Sequence, residues 1–397
     1  MSSYILQETG DRLLQESGDG ILRDIRIVVF VPAPPTLADV LRGSHRPISK
    51  VEFLGADLQS ILATVRDKGT GGSVTSDRTS DTFISATVEL VNADGTLTPG
   101  APDALLANER NVRVWRGALV GGTEIFEPLI TGIVADPQTG LDTGKVTFTV
   151  SSRLAIAKRN FSGPTTIAAG TDGKDAIRQL LELGGLGTTD QLYDLDDGGF
   201  VVATARTFST GDEILGSASG WAADMGCDLW IDGNGVVKMA PVVDPTTVSP
   251  VWDFAGGSSK ILTEFDAKLP SQVRFNRQDV FGIGPDGYTI SATAVITNPA
   301  DPLMWTPALD LPADPYTSPD INDPVTALAV ARQLLAEHSG YVEQIQFHSV
   351  PVPLVRGRDV VSFSGAGYGN SLLDTVTMSI YHGDMSGTAR LVRSIAL

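Results

Sequence analysis

The residues best suited to chemistry in this 397-residue chain are four histidines, one cysteine and a few clusters of carboxylates and glycines. His45, His338, His348 and His382 lack the spacing of a metal-binding set, and no Gly-x-Ser-x-Gly elbow accompanies them. His348 and His382 would approach one another if the strands that carry them pair, which leaves a site across strands open. Cys227 has no second cysteine to pair with and sits where a helix gives way to a strand, beside Leu229 and Ile231, as a buried structural thiol would. Tyr193-Asp194-Leu195-Asp196-Asp197-Gly198 gathers carboxylates as a calcium loop does, yet Ala205 stands where an EF-hand places its bidentate glutamate, so a solvated acidic turn is expected. Gly282-Ile283-Gly284-Pro285-Asp286-Gly287 carries the three glycines of a dinucleotide-binding turn but lies between two strand-like segments with no helix after it, which predicts a hairpin loop. Carboxylate pairs for glycoside hydrolysis are defined by a separation in space, which no spacing in sequence reveals. These readings name no catalytic, cofactor or metal residue and predict a protein that is not an enzyme.

The elements around these residues are mostly strands. From Phe83 to Leu90 the chain alternates strictly, with Ile84, Ala86, Val88 and Leu90 on one face and Ser85, Thr87 and Glu89 on the other. An Asn92-Ala93-Asp94-Gly95 turn follows, then strands at Val112–Trp115, Leu129–Val134 and Lys145–Val150, the last with Val146, Phe148 and Val150 on one face. One apolar face per strand describes a barrel or sandwich wall. Upstream, Leu6-Gln7-Glu8-Thr9-Gly10-Asp11 recurs as Leu14-Gln15-Glu16-Ser17-Gly18-Asp19. Two such copies cannot bury a core, so they form either a hairpin laid against a neighbour or a loose terminus. Ile25 to Phe30 reads as a strand that prolines 32, 34 and 35 must stop. Val51 to Val65 reads both ways, with Leu54, Leu58, Ile61 and Leu62 at helical spacing after a strand-like start.

The period changes between about 161 and 247. Thr171 and Asp172 offer caps to a helix striped by Ile177, Leu180 and Leu181 that ends near Gly184-Gly185. Thr210-Gly211-Asp212-Glu213 predicts a capping box for a second helix, with Leu215, Ala218, Ala222 and Met225 on one side and a stop at Gly226. Asp228–Ile231, Asp232-Gly233-Asn234-Gly235 and Val236–Met239 predict a hairpin. Beyond 250, Asn322-Asp323-Pro324 opens a helix with Leu328, Ala331 and Leu335 in its stripe and His338 in its last turn, where the helix dipole favours a cation. Strands are expected at Gln344–Val350, Asp359–Phe363, Leu373–Tyr381 and Ala389–Ile395, and residues 295–323 read as a long excursion of the kind that usually serves a contact.

Composition sets the outer bounds. A hydrophobic fraction of 42% against 19% charged residues excludes a largely disordered chain, and 42 glycines with 23 prolines favour many tight turns over an all-helical fold. The length calls for two or three cores. The net charge of −18 keeps a protein dispersed, and it argues against gripping nucleic acid, for which a basic patch is needed. A channel wall of that sign would let a duplex slide without sticking. The N-terminus lacks a basic segment and apolar core, so no signal peptide is expected, and no apolar run approaches the length of a membrane span. A protein made and folded in a cytoplasm is the expectation.

Several of these segments, in order, resemble one family. Gly72-Ser73-Val74-Thr75-Ser76-Asp77-Arg78-Thr79, the strand after it, the turn at 92–99, and Arg113-Val114-Trp115-Arg116-Gly117 leading to Glu127-Pro128-Leu129-Ile130-Thr131-Gly132 are similar to the first barrel of tail-hub proteins. These proteins sit at the baseplate hub or tail tip of long-tailed bacteriophages, and the likeness is to the minor tail proteins of actinobacteriophages in particular. Asp175–Leu180 and Gly220–Gly235 resemble the helix and the helix-plus-hairpin of that family's middle domain, and Val350–Leu354 with Arg356-Gly357-Arg358-Asp359-Val360-Val361 resembles a strand and turn of its second barrel.

The resemblance implies a mainly β chain with a small α/β part, in which two β-barrel hub domains flank a small α/β domain. The corresponding expected bounds are 1–24 for the N-terminal repeat or arm, 25–160 for the first hub barrel, 161–248 for the small α/β domain and 249–397 for the second hub barrel with its inserted loop and helix. It implies a structural virion protein, a homotrimer at the distal end of the tail, that adapts a sixfold tail tube to a threefold tip and lines the DNA channel. Its implied partners are the distal tail or tail tube ring, tip or receptor-binding tail proteins, the tape-measure protein, and DNA passing through the lumen without sequence-specific binding. Some relatives carry a lysozyme or peptidase domain beyond the second barrel, for which a chain closing at Leu397 is expected to have no room. Two other classes stand beside this one. A peripheral receptor- or carbohydrate-binding tail protein would expose aromatic clusters on loops, whereas aromatics are 7% here and Trp115, Trp221, Trp230, Trp252 and Trp305 mostly fall within expected elements. A glycan-cleaving enzyme would need a constellation that no motif supplies.

Overall fold

A computed structural model describes residues 4–7, 29–32 and 36–391, with breaks at 44, 67, 100–104, 141–143, 243–246, 255–261, 269–274, 285, 300, 302, 320 and 339–343. Strands β1 (Tyr4–Gln7) and β2 (Val29–Pro32) pair with each other in a sheet of their own. The second copy of the N-terminal repeat, the rest of the first, and residues 25–28 lie outside the described residues. Helix α1 (Leu37–Leu41) was not expected: Thr36 and Asp39 form a reciprocal capping box, and Leu37, Val40 and Leu41 are buried. The ambiguous segment is a hairpin of β3 (Arg46–Leu54) and β4 (Ile61–Arg66). Asp57 Oδ1 closes its turn by accepting from the amides of Gln59 and Ser60. The helical spacing of its leucines is coincidental, since Leu54 and Leu58 are buried while Ile61 and Leu62 are exposed. Four antiparallel strands follow, namely β5 (Gly69–Asp77), β6 (Ile84–Val91), β7 (Asn111–Val120) and β8 (Thr123–Gly140), before β9 (Lys145–Ser152). The alternation read in sequence is the alternation of burial: Ile84, Ala86, Val88, Leu90, Val146, Phe148 and Val150 all face the core. Phe53 on β3 and Phe148 on β9 are 6.2 Å apart with β7 and β8 between their strands in the sheet, so the sheet curls until its inner face meets itself.

The middle segment begins with β10 (Thr165–Ile167), α2 (Gly173–Leu183), β11 (Tyr193–Leu195) and β12 (Arg206–Phe208), and continues through α3 (Ile214–Asp224), β13 (Cys227–Ile231) and β14 (Val237–Pro241). The stripe of α2 is buried as expected, but its N-terminus is capped from elsewhere: Asp197 Oδ2 accepts from the Lys174 amide at 2.8 Å. The expected capping box on α3 does not form. Asp212 turns back to the Ser209 amide at 2.9 Å, and the Ile214 amide donates to the Arg159 carbonyl, so a tertiary contact replaces the local one. Gly226 ends α3 at φ +73°, a conformation glycine adopts without strain. Phe208 packs between Phe161 and Trp221, at 5.4 and 5.6 Å, and fills the space between these elements. In the β13–β14 hairpin Asp232 Oδ1 accepts from the amides of Asn234 and Val236.

The last segment contains β15 (Trp252–Asp253), β16 (Leu262–Lys268), β17 (Arg277–Ile283), β18 (Thr289–Val295), β19 (Tyr316–Thr317), α4 (Pro324–His338), β20 (Gln344–Ser349), β21 (Val360–Phe363), β22 (Tyr368–Ser379) and β23 (Met385–Leu391). Asp323 caps α4 through the amides of Val325 and Thr326. Ala327, Val330, Ala331 and Leu335 form its buried stripe, while Leu328 lies at the margin and the side chain of His338 lies outside the described residues. The excursion at 295–323 wraps the β17–β18 hairpin and α4, enclosing a second core with Val280, Ile296, Leu303 and Ile321. A second wall curls around Phe254, Phe265, Phe347 and Phe363, where Phe265 on β16 meets Phe363 on β21 at 5.5 Å with three strands intervening.

The expected pair of separate barrels is replaced by one thirteen-stranded, largely antiparallel sheet, and no ladder closes either wall among the described residues. The cause is β22. Its first half pairs with β21 and its second half, Thr375 to Ser379, with β5 of the first wall, so one twelve-residue strand serves both. Leaving aside β4, which extends the sheet beyond β3, a strand order occurs twice: β3-β7-β8-β9-β6-β5 and β15-β21-β22-β23-β20-β16 are both the first, fourth, fifth, sixth, third and second strands of their set. The details repeat as well. Glu109 and Arg358, both left-handed (φ +64° and +77°), precede the fourth strand, and both donate their amide to a residue of the fifth, Val134 or Leu373. Each fifth strand then bulges against the sixth, at Ala135/Gln138 and at Leu373/Thr375. The first strands differ, since β3 runs antiparallel to its neighbour and β15 parallel.

Phe363 is fully buried at the centre of the second wall's aromatic cluster. Phe363→Ala is expected to cost about 3–5 kcal/mol, measured as a lowered urea midpoint.

Candidate functional site

The turn Arg356-Gly357-Arg358-Asp359 lies between the two walls and the middle segment and touches all three. Arg356 Nη2 donates to the Pro128 carbonyl on β8 at 2.8 Å, and its Nη1 donates to the carbonyls of Pro353 and Val355. The Gly357 amide donates to Ser76 Oγ on β5 at 2.9 Å. Arg358 reaches the middle segment, with Nε donating to Asp228 Oδ2 at 2.9 Å and its guanidinium stacked 3.6 Å from the Trp230 ring centroid. Asp359 closes the turn by accepting from the Arg356 amide at 2.7 Å. On the opposite side Thr131 Oγ1 donates to the Gly233 carbonyl and accepts from Arg113 Nε. Gly233 approaches so closely that a Cβ there would stand 2.0 Å from the Pro128 carbonyl oxygen, which any side chain would force apart.

The electrostatics of this joint follow from enclosure. Asp359 and Arg356 keep some accessible surface, but protein packs densely around both charged ends. Burial pushes the Asp359 carboxyl up to about 6, against the opposing pull of the Arg356 amide and the guanidinium groups of Arg356 and Arg358. Burial likewise raises Glu127, with Arg356 opposing and Asp232 adding to the rise, and lowers Arg356. The arrangement holds three parts together. It presents no nucleophile beside a base and no open cleft.

The sheet face opposite the core is the other continuous surface. Across it run cross-strand rows of short hydroxyl side chains: Ser386, Thr377, Thr75, Ser85 and Ser151 in one, Ser379, Ser73, Thr87 and Thr149 in the next. Thr75 and Thr377 share a hydrogen bond of 3.1 Å across the seam between the walls. A shallow polar groove of about 500 Å³ lies here, lined by Gly72, Ser73, Thr87, Thr377, Ser379, Asp384 and Ser386. Basic groups on these strands are held in pairs, Lys145 with Glu89 and Arg390 with Asp374, and on β16 Lys268 pairs with Asp266.

The residues singled out in sequence fall elsewhere. His348 and His382 are not brought together by paired strands, because β23 lies between β20 and β22. His348 instead stands 3.6 Å from Asp384 and 3.9 Å from Glu264. His45 Nδ1 is 2.9 Å from the Gly43 carbonyl. Cys227 is buried, its thiol 3.8 Å from the carbonyls of Asp196 and Met225 and pushed up to about 12 by burial and neighbouring carboxylates. Of the acidic cluster, Asp194 pairs with Lys238 while Asp196 and Asp197 accept from backbone amides. The described residues of the glycine-rich segment, Gly282 to Gly284 with Asp286 and Gly287, form the end of the β17–β18 hairpin. What sequence reading missed is the joint's Arg–Asp turn as a contact between distant parts; its one local signal is a Gly-Arg-Asp turn entering a strand.

Solved structures share this fold. The tail protein from Neisseria meningitidis MC58 matches over 87% of this chain and 96% of its own at 12% identity, with a TM-score of 0.59. The 43 kDa tail protein of prophage MuSo2 from Shewanella oneidensis matches over 87% and 98%, also at 12% identity, with a TM-score of 0.55. No protein-family model and no curated protein sequence matches the chain.

The raised Asp359 sets a pH dependence. A carboxyl whose folded pKa lies above its unfolded value contributes stability that is full below about 4 and lost as pH rises through about 6. Asp359→Asn should therefore flatten the decline in stability between about pH 4 and 6, a difference on the order of 1–3 kcal/mol at about 1.4 kcal/mol per unit. The check is thermal unfolding of both proteins across that range.

Proposed function

We propose that this chain is a structural component of a phage tail tip, and that three copies form its central hub. The observation that carries the reading is the strand order that occurs twice in one sheet, because two similar walls per chain, times three chains, offer six comparable faces to a sixfold tail ring while keeping threefold symmetry for the tip. The first and last segments serve as the two hub domains and the middle segment buttresses them through the Arg356–Asp359 joint. The fold shared with two tail proteins supports this placement at the distal end of the virion tail.

The hydroxyl-rich face is the wall turned to the lumen. A surface of serine and threonine without apolar anchors is poorly suited to the core of a protein interface, which favours aromatic residues and depletes serine. Nor does it grip DNA, since neutralising phosphates requires free lysine and arginine. It suits a wall past which a duplex and a tape-measure protein slide. The tail tube or distal tail ring lies above, and tip or receptor-binding proteins below. The role is architectural rather than catalytic.

Light scattering on a sizing column is expected to give a native mass of three chains, with a central hole in electron micrographs. A monomer that binds host envelope would overturn this reading in favour of a peripheral receptor- or carbohydrate-binding tail protein. The lumen assignment has its own check: with Ser73, Thr87 and Thr377 all changed to lysine, the protein should retain duplex DNA at about 50 mM salt and release it by about 200 mM. The unaltered protein should retain none at either.

A further inference from the structure

The repeated strand order assigns an interface that a single chain leaves empty. Within the chain the two walls meet where the fifth strand of the second set, β22, passes its bulge and lays residues Thr375 to Ser379 antiparallel against β5, the second strand of the first set. The first set has the same parts. Its fifth strand, β8, pairs with β7 as far as Ile133 and with β9 to Gly140. Past its own bulge, the edge of β8 that faced β7 carries no described strand. The second strand of the second set, β16, pairs with β20 on one edge, and no described strand lies on the other.

We infer that the end of β8 in one copy pairs antiparallel with β16 of a second copy, reproducing between chains the β22–β5 joint that exists within one. The occupant is a second copy because the missing partner of each edge is the structural equivalent of the partner its counterpart already has. Antiparallel pairing in the β22–β5 register, where the residue after the bulge meets the end of the second strand, brings Gln138 opposite Lys268, Thr139 opposite Ala267 and Gly140 opposite Asp266. Past the bulge β8 alternates exposed and half-buried residues, and β16 likewise has only exposed and half-buried positions, as an edge strand open to a further partner does. Each copy offers one tail and one edge, so the contact is head-to-tail and closes into a ring if every wall is turned by the same angle. This inference rests on the hub reading for the number of copies, and on the repeat alone for the surfaces.

The test uses full-length chains carrying Gln138→Cys and Lys268→Cys, both exposed positions, with Asp266→Cys in place of Lys268→Cys as the neighbouring position on the same face. Opposed antiparallel residues have Cα atoms about 4.5–5.5 Å apart, within disulfide reach. Cys227 is buried and does not compete. The expected result after mild oxidation is conversion of most of the monomer band to a reducible three-chain product. Two differently tagged single variants, co-expressed, should yield a mixed dimer that neither single variant gives by itself. Absence of linked chains with both cysteine pairs overturns the pairing. The native mass of the same samples separates the two failures: three chains without links leaves the hub standing with another interface, whereas one chain removes both. A disulfide formed within a single chain also overturns the inference.

Discussion

Strand β22 is the constraint on which the rest of the molecule depends. A backbone strand offers two edges, and in β22 one edge pairs with β23 from Ser371 to Met378 while the other is divided, first to β21 and then to β5. That division needs a change of direction at the boundary, and the bulge at Leu373/Thr375 supplies it. The Arg356–Asp359 turn sits at the same boundary because β21 must begin where β5 leaves off. Arg358 is left-handed there, its amide donating to Leu373 and its side chain to Asp228. A non-glycine residue in that conformation is held by its contacts. The loss of the Arg358 side chain would therefore remove the tie to the middle segment and part of what stabilises the turn.

This arrangement explains which features were legible in the sequence. Where a strand has one buried face and a local turn, period and turn chemistry agree, and Ile84–Val91, Lys145–Ser152 and the Asp228–Met239 hairpin could be read directly. The Asp323-Pro324 start of α4 was equally plain, because cap and helix are neighbours in the chain. Local signals failed where a distant residue took over. Asp197, not Asp172, caps α2, and Arg159 satisfies the first amide of α3. At Val51–Val65 the leucine spacing suggested a helix, and the outcome turned on Asp57 closing a six-residue turn. Two barrels were expected because each wall has a complete apolar alternation of its own. Nothing in that alternation shows that β22 will lend half an edge to β5, since pairing partners are set by which edges are left over.

The candidate site was hidden for the same reason. Histidines, cysteine and acidic clusters attract attention as single residues, and here each is absorbed by its surroundings: Cys227 against carbonyls, Asp194 against Lys238, Asp196 and Asp197 against amides. The working surfaces are instead collective. No one threonine marks the hydroxyl face; it exists because strands distant in sequence align their solvent-facing positions in register across the seam. Its physical character is the absence of adhesive groups, and a residue-by-residue search for chemistry passes over an absence.

The two sets of six strands differ in ways that fit their positions. The first set makes its turn from second to third strand in six residues, 78–83, whereas the second inserts β17, β18, β19 and α4 at the same place and gives them a separate core. That insertion is tied back to the middle segment by the Tyr316 hydroxyl, which donates to the buried Asp224 at 2.5 Å. The left-handed residue, the amide pair and the bulge recur at both fourth-to-fifth strand junctions, and enlarging a core requires none of them. Those features shape how the fifth strand leaves one neighbour and meets the next. Their presence in the first set, where the chain supplies no next neighbour among its described strands, is the physical reason to regard the end of β8 as an unfinished joint rather than a spare edge.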